Sequence, residues 1–345
     1  MTGMAIERAA LVANPGSREG VAAADSAAAL LRGAGVEAEV LVSERPGHCR
    51  ELAAAAAREG FDLVASVGGD GTLGEVANGL MDVDGAPPLA IIPAGTGNDT
   101  AKALRIPHDL AGALDLIFTG QPLPLDVSEV NGTRFVGLGA MGFAARVGEA
   151  ANWWKSGYRR PWGRAFGQRI YHIASAHYML FGPRSLRGGV HCDAYDLDGI
   201  IFTIIITPNP GLDGVFVPCP AARAGDGKLD VLVVRARTPR GRKLTMAQKV
   251  RTAYGTVHGT HLKEPWVDCF QTAGEIRIEL SEESFFMGDG DTLCRGKRFL
   301  VRPLPGALRV MLRPQGQQDD RAPASDTAPP GVTTAACSGP VGRGT

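Results

Sequence analysis

The first third of the chain alternates short apolar runs with Ala-rich stretches of helical spacing. Residues 9–13, 36–42, 63–67 and 89–92 are brief runs of strand type, and residues 21–31, 50–58, 72–80 and 100–104 carry helical spacing between them. Strands separated by helical crossovers pair in parallel, so this pattern predicts a parallel sheet with helices on its faces. The pattern changes near residue 125. From there to residue 312 most signals are strands, at 134–138, 189–192, 200–206, 229–234, 275–280, 299–302 and 307–312, many separated by Gly and Pro. That predicts an antiparallel β-rich unit with inserted helices. One such helix is expected over 166–181, where Phe166, Ile170, Ile173, His177 and Leu180 fall on one stripe.

Residues 314–345 hold five Pro and five Gly and no aliphatic side chain larger than two Val, too little apolar surface to offset the entropy of ordering. They read as a disordered tail. The organisation expected is therefore 1–126, an α/β unit; 127–313, a β-rich unit whose last strand is free to return to the first; and 314–345, the tail. A length of 345 residues agrees with two domains.

Composition narrows the classes. Lys+Arg and Asp+Glu are both 36, so the formal charge is zero and bulk attraction to nucleic acid is not expected. No uncharged apolar run is long enough to span a bilayer, and the first ten residues lack the apolar core and cleavage site of a signal peptide. The six cysteines include no CxxC pair, which argues against a disulfide scaffold or a zinc finger and fits a reducing cytosol.

Chemistry concentrates in three turns. Gly68, Gly69, Asp70, Gly71 and Thr72 follow the third strand and precede a helix. Three glycines in four positions let backbone N–H groups turn toward an anion, and the helix adds its positive end. Asp70 is what a passive phosphate loop does not need; it binds a cation, handles a proton, or caps the turn. Gly95, Thr96, Gly97, Asn98 and Asp99 form a second such loop between a strand and a helix, with Thr96 as a hydroxyl donor and Asn98 and Asp99 as first-turn caps. Both loops would lie at the carboxyl edge of the sheet, where open α/β folds bind ligands. Asn14, Pro15, Gly16 and Ser17 reach the same edge after the first strand, either as a plain turn or as a nucleotide contact.

The strings NPGS, GGDGTLGEVANGL and IIPAGTGNDTAKAL resemble the diacylglycerol kinase catalytic-domain family, the bacterial soluble lipid kinases. Leu125-Asp126-Val127, the segment 221–231 with its Asp226-Gly227-Lys228-Leu229-Asp230, and Gly288-Asp289-Gly290-Asp291 resemble later motifs of that family, so the likeness runs from about residue 8 to 313. GGDGT is shared with NAD kinases and sphingosine kinases; GTGND is the diacylglycerol kinase-like form. The resemblance implies an ATP-binding α/β domain with an NAD-kinase-like parallel sheet, an antiparallel β-sandwich C-terminal domain, and an active site in the cleft between them. It implies ATP contacts at Asn14, Pro15, Gly16, Ser43, Gly68, Gly69, Asp70, Gly71, Thr72, Leu73, Gly74, Gly95, Thr96, Gly97, Asn98 and Asp99. It implies a structural Mg²⁺ on Asp226 with the carbonyls of Arg223 and Lys228, an all-oxygen set of the kind Mg²⁺ prefers; an ordinary Asp-Gly turn is the alternative.

The family's proton acceptor is the Glu of a DGE motif. Here the position is Asp291, one methylene shorter, with reach reduced by about 1.5 Å; Asp70 is the competing base. Mg²⁺ on Asp70, with Asp99, would bridge the ATP phosphates, and Lys102 either adds positive charge or is a solvated helix residue. Asn209 to Gly214 holds only part of the family's glycine run.

Residues 146–187 carry eight Lys/Arg, one acid (Glu149) and three tryptophans, Trp153, Trp154 and Trp162, with Tyr158 and Phe166. This mixture suits an anionic membrane surface; core tryptophans with a solvated basic rim are the other reading. Residues 235–251 hold seven Lys/Arg and no acid and read as a mobile solvated loop rather than a second docking loop. The expectation is thus a cytoplasmic, peripherally membrane-associated, ATP-dependent kinase of diacylglycerol or a related lipid alcohol, with room for a homodimer and no nucleic-acid partner. A kinase of a soluble alcohol (sugar, polyol or NAD) and a non-catalytic nucleotide-binding lipid sensor are the alternatives.

Overall fold

The computed structural model describes residues 5–16, 19–155, 169–182, 185–209 and 217–314. β1 (Arg8–Ala13), β2 (Glu37–Val42), β3 (Leu63–Gly68) and β4 (Leu89–Pro93) are parallel and lie side by side in the order β4-β3-β1-β2. Every residue of β3 is buried, which is why it reads as a continuous apolar run rather than an alternating one. α1 (Gly20–Gly33) covers one face through Ala24, Ala27 and Leu31, packed on Leu11 and Leu63. α2 (His48–Arg58) and α3 (Asp70–Met81) cover the other through Ala53, Val76 and Leu80, packed on Val12 and Val64. α4 (Asp99–Ala103) follows β4. α5 (Leu110–Thr119) has no counterpart in the sequence reading: LAGALDLIFT is nearly all apolar and lacks a clear stripe, yet Asp109 caps it by accepting from Gly112 N–H at 2.8 Å.

The rest is mostly antiparallel. β5 (Gln121–Val130), β6 (Thr133–Phe135), β7 (Gly139–Gly142), α6 (Phe143–Lys155), α7 (Arg169–Phe181), β8 (Leu186–His191), β9 (Asp196–Thr207), β10 (Leu229–Arg235), α8 (Met246–His258), β11 (Val267–Thr272), β12 (Ile276–Gly288) and β13 (Asp291–Leu312) follow in chain order. The second half is a β-sandwich closed on Phe135, Ile204, Val231, Phe286 and Phe299. One path of hydrogen-bonded strands, β11-β10-β9-β7-β12-β13-β4-β3-β1-β2, runs through both halves.

Several expectations change. The two short strands at 299–302 and 307–312 are parts of one strand, β13, whose register against β5 shifts between Leu304 and Leu308, where Pro305 and Gly306 interrupt the ladder. Val310 pairs in parallel with Leu89, so the end of β13 lies in the first sheet. The helix expected over 166–181 is seen from Arg169, and its first three positions lie outside the described residues. The run 235–251 is not a mobile loop. Arg237 bridges Lys243, and α8 starts at Met246 under a capping box: Thr245 accepts from Gln248 N–H, and Gln248 Oε1 accepts from Thr245 N–H at 2.9 Å. Thr-x-x-Gln was the available signal. Residues 315–345, expected as a tail, lie outside the described residues.

Candidate active site

The turns after β1, β3 and β4 leave the sheet at the same carboxyl edge, and β3 and β4 are direct neighbours. Ala94 N–H donates to Gly68 O at 2.8 Å, which docks the second loop on the first. The contact requires glycine at 95: a Cβ there would stand 2.4 Å from the Gly69 Cα, whereas one on Gly69 would stand 3.3 Å from the Gly95 Cα. Asn98, in the left-handed conformation at φ 54°, closes the second loop by accepting from Gly95 N–H and donating to Gly95 O, both at 3.0 Å.

Asp70 is the first residue of α3 rather than part of an open loop, so the helix begins two residues earlier than its apolar spacing indicates. Its carboxylate reaches across to α4, accepting from Asp99 N–H at 3.0 Å and from Thr100 N–H at 2.9 Å. It therefore ties the two glycine loops together. The N–H groups of Asp70, Gly71 and Thr72 are first-turn donors with no partner inside the helix. Leu73 is different: it is buried, and its N–H donates to Gly69 O at 3.0 Å. Gly74 lies a turn into the helix and lines the cleft as a surface.

A cavity of about 1080 Å³ opens along this edge. Asn14, Gly16, Gly69, Asp70, Gly71, Thr72, Gly74, Gly95 and Thr96 line it from the first half, and Gly288, Asp289 and Asp291 from the second. Asn14 Oδ1 accepts from Gly16 N–H at 2.7 Å, holding that turn in shape. Other expected contacts stand apart. Ser43 is buried at the end of β2, its N–H donating to Ala13 O, and Pro15, Leu73, Gly97, Asn98 and Asp99 are not in the cavity wall. Asp99 instead pairs with Lys102 at 3.7 Å. Ser17 lies outside the described residues.

The structure adds residues that the motifs alone do not single out. Asp289 sits at φ 51° in the turn between β12 and β13 and accepts from Val136 N–H at 2.7 Å and Gly137 N–H at 2.6 Å. Burial outweighs those two donors and pushes its pKa up to about 6, with Asp70 and Asp291 adding like charge. The Asp291 carboxylate, two residues on, has no hydrogen bond to any described residue, while its backbone pairs with Gly288; burial and then the Glu75 charge raise its pKa. Glu75 accepts from Gly47 N–H and Cys49 N–H, both at 3.1 Å, and so holds the start of α2 against α3. Arg50 and Arg134 also line the cavity and share Asp82 at 2.7 and 2.9 Å, with Arg50 and then Arg134 holding that carboxyl below its usual range. Asp289 stood inside the quoted Gly-Asp-Gly-Asp string and Glu75 inside GGDGTLGEVANGL, and both were legible there; Arg50 and Arg134 carry no local signal.

Arg223, Asp226 and Lys228 lie away from the cavity. Asp226 is exposed, and its Oδ1 accepts from Lys228 N–H at 3.0 Å, an Asx turn flanked by Gly225 at φ 74° and Gly227 at φ 76°. Among the described residues no group of three or more His, Cys, Asp or Glu side chains could hold a metal, so a cation here would rely on main-chain oxygens. One observation suits such a cation. Asp230, in the same segment, is buried, its Oδ2 has no hydrogen-bond partner, and burial, with Asp226 adding like charge, pushes its pKa up to about 6. An unpartnered carboxylate oxygen beside a second carboxylate is a site of oxygen chemistry that Mg²⁺ and its waters fit.

Of the basic aromatic segment, Trp153 and Trp154 are exposed on α6, whereas Tyr158, Trp162 and Phe166 lie outside the described residues. No helix among the described residues is long and apolar enough to cross a membrane.

Comparison with known proteins finds relatives over most of the chain. Residues 8–130 match the diacylglycerol kinase catalytic domain, and residues 140–312 match the YegS C-terminal NAD kinase β-sandwich-like domain. A diacylglycerol kinase of Staphylococcus aureus (strain JH9) is 36% identical over 290 residues, 83% of this chain and 86% of the relative. A diacylglycerol kinase of Bacillus subtilis (strain 168) is 29% identical over 259 residues, 75% of this chain and 80% of the relative. A crystal structure of a diacylglycerol kinase from Bacillus anthracis str. Sterne superposes with a TM-score of 0.66 at 22% identity, covering 90% of this chain and 98% of that one, a likeness of fold.

Proposed function

This chain belongs to the diacylglycerol kinase catalytic-domain family, and on that premise we propose that it transfers the γ-phosphoryl group of ATP to the hydroxyl of diacylglycerol or a related lipid alcohol. The observation that carries the reading is the cavity itself. Unpartnered first-turn amides of α3, packed between two glycine loops, face a carboxylate without a hydrogen bond, Asp291, on the opposite wall.

Phosphoryl transfer asks for alignment and neutralisation of charge more than for covalent help. The N–H groups of Asp70, Gly71 and Thr72 and the positive end of α3 would hold phosphate oxygens, with Thr96 and Asn14 at the rim. Arg50 and Arg134 would supply cationic charge; Asp82 keeps both guanidinium groups in place. Asp291 would accept the proton of the attacking hydroxyl. Its carboxylate is unpartnered among the described residues, and a raised pKa makes it a stronger base than a solvated carboxylate. Asp70 is a positioning residue in this reading, because each of its oxygens already holds a backbone N–H. Asp289 likewise positions the 136–137 segment against the site. Magnesium, bound with the nucleotide, would supply neutralisation of the transferring phosphoryl group, and a structural cation would rest on Asp226 with the carbonyls of Arg223 and Lys228.

Purified protein, labelled ATP and diacylglycerol in mixed micelles should give phosphatidic acid. Asp291→Asn should lower turnover by about 10²–10⁴-fold with ATP affinity retained. Phosphorylation of a sugar or polyol with none of diacylglycerol would overturn the lipid acceptor. Unchanged turnover in the Asp291→Asn protein would overturn the base.

A further inference from the structure

The wall of the main cavity changes character along α3. Gly71, Gly74, Glu75 and Asn78 line it at i, i+3, i+4 and i+7, a stripe that runs from the first-turn amides toward Asp82 at the end of the helix. At a rise of about 1.5 Å per residue, Glu75 and Asp82 are about 10 Å apart. Asp291 lies close enough to Glu75 to feel its charge, so the base stands near the middle of this stripe. Asn78 donates to Gly74 O at 2.9 Å, which leaves its Oδ1 as an acceptor. Arg50 and Arg134 close the far end. Among the described residues that line the cavity they are the only Lys or Arg, against five acids. Beyond Arg134 the surface turns apolar. A second cavity of about 330 Å³ has Arg134 as a common wall with the first and is lined otherwise by Met81, Leu304, Pro305 and Ala307.

Two arginines are one too many for the carboxylate they share. Arg50 Nε donates to Asp82 Oδ2 at 2.7 Å, and Arg134 Nη1 donates to Asp82 Oδ1 at 2.9 Å. These contacts occupy both oxygens of an ionised Asp82 and leave one net positive charge. They also leave most of the N–H donors of both guanidinium forks without a partner among the described residues. Asp82 thus holds two planar forks at the cavity wall, and such forks recognise phosphate and carboxylate oxygens in pairs. A latch between α2, α3 and β6 would need no second cation.

Outward from the base, the lining is therefore a carboxylate for a hydroxyl, a polar stretch of about 10 Å, a pair of cationic forks, and an apolar trough. Diacylglycerol does not follow that order: its hydroxyl is joined directly to the acylated glycerol carbons, and it carries no charge. A phospholipid with a free hydroxyl on its headgroup does follow it, as hydroxyl, polar spacer, phosphodiester and acyl chains. We propose that Arg50 and Arg134 form a specificity subsite for the phosphodiester of an acidic phospholipid whose headgroup hydroxyl is the preferred acceptor. That hydroxyl oxygen bonds to the γ-phosphorus of ATP as the bond from the γ-phosphorus to the β–γ bridging oxygen breaks. Its proton passes to Asp291, and the products are ADP and a phospholipid bearing a phosphomonoester. An acceptor without the anion leaves the forks unpaired and is disfavoured for that reason. The identity of the acceptor rests on the lipid-kinase reading; the anion subsite does not.

The test compares dioctanoyl acceptors below their critical micelle concentrations, so that no charged surface contributes. Dioctanoyl phosphatidylinositol and dioctanoyl phosphatidylglycerol carry the phosphodiester on spacers of different length; dioctanoylglycerol and its glucosyl derivative carry none. At least one of the two phosphodiesters should exceed both neutral acceptors in kcat/KM by about tenfold or more. Arg134→Gln, and separately Arg50→Gln, should remove that preference chiefly through KM. Arg134→Lys, which keeps the charge and loses the fork, should retain only part of it. Independently of turnover, glycerophosphoinositol should bind the protein loaded with Mg²⁺ and β,γ-methylene-ATP in calorimetry, and each Gln variant should weaken that binding by about tenfold. Neutral acceptors that match the phosphodiesters, or a preference that survives both Gln variants, overturn the inference, and the wild-type ranking decides it even if a variant unfolds. Headgroup binding that needs the arginines, with no transfer to any lipid, leaves the subsite standing and overturns the lipid-kinase reading. Transfer to diacylglycerol with neither preference nor headgroup binding does the reverse.

Discussion

Five acids line the cavity, Glu19 on an exposed turn, and the surroundings of the other four give them different work. Asp70 and Glu75 spend both oxygens on backbone N–H groups, Asp289 does the same on the 136–137 segment, and of these four Asp291 alone keeps its oxygens without a partner among the described residues. Asp289, with a folded pKa of about 6 against an ordinary 3.8, binds more protons folded than unfolded between those values. Its contribution to stability is therefore greatest below about pH 4 and is lost as pH rises through about 6. Asp289→Asn should remove that slope from urea unfolding measured across this window. It should also cost about 1–3 kcal/mol at neutral pH, because one amide oxygen cannot serve both Val136 and Gly137. Glu75 bears on the base itself. Its charge helps hold the Asp291 pKa up, so Glu75→Gln should lower that pKa and move the acid limb of the kcat/KM profile to lower pH. An unmoved limb would mean that Asp291 is not the group being titrated.

At the scale of elements, the site depends on two strand–turn–helix units packed back to back. Gly69 and Gly95 touch, Asp70 clasps α4, and Ala94 N–H docks on Gly68 O. Gly95→Ala would drive a methyl group into the Gly69 backbone and push the loops apart. We expect a cost of about 1–3 kcal/mol in stability, typical of overpacking, and a loss of ATP affinity in calorimetry larger than that seen for an alanine at exposed Gly71, where a Cβ meets nothing within 4 Å. The same scale exposes what periodicity misses. α5 is too uniformly apolar to show a stripe, and α8 turns Met246, Val250 and Tyr254 outward, so a search for a core-facing pattern passes it by.

At the scale of the whole molecule, β13 is the member that joins the halves. It starts at Asp291 beside the cavity, pairs with β12 and β5, and ends against β4 in the first sheet. Asp126, 1% exposed, anchors this junction by accepting from Gly227 N–H at 2.7 Å and Gly306 N–H at 2.8 Å. Asp126→Ala leaves both donors short and should lower stability by roughly 2–4 kcal/mol. Thermal unfolding would register the loss, and ATP binding would weaken with it because both walls of the cavity depend on the junction.

Period and glycine placement along the chain were enough to specify the parallel sheet, the change to antiparallel strands, and the edge at which phosphate-binding amides would gather. Those demands are local: a strand followed by a left-handed or tightly packed turn needs particular residues at particular neighbouring positions, and Gly68 to Thr72 and Gly95 to Asp99 meet them. Which carboxylate clasps backbone and which stands unpartnered was not written locally. Asp289 meets Val136 from 153 residues away, and Arg134 meets Asp82 from 52. A pKa or a hydrogen-bonding role is a property of surroundings: those of Asp289 exist only once the second half has folded, and those of Arg134 only once the two halves have closed on one another.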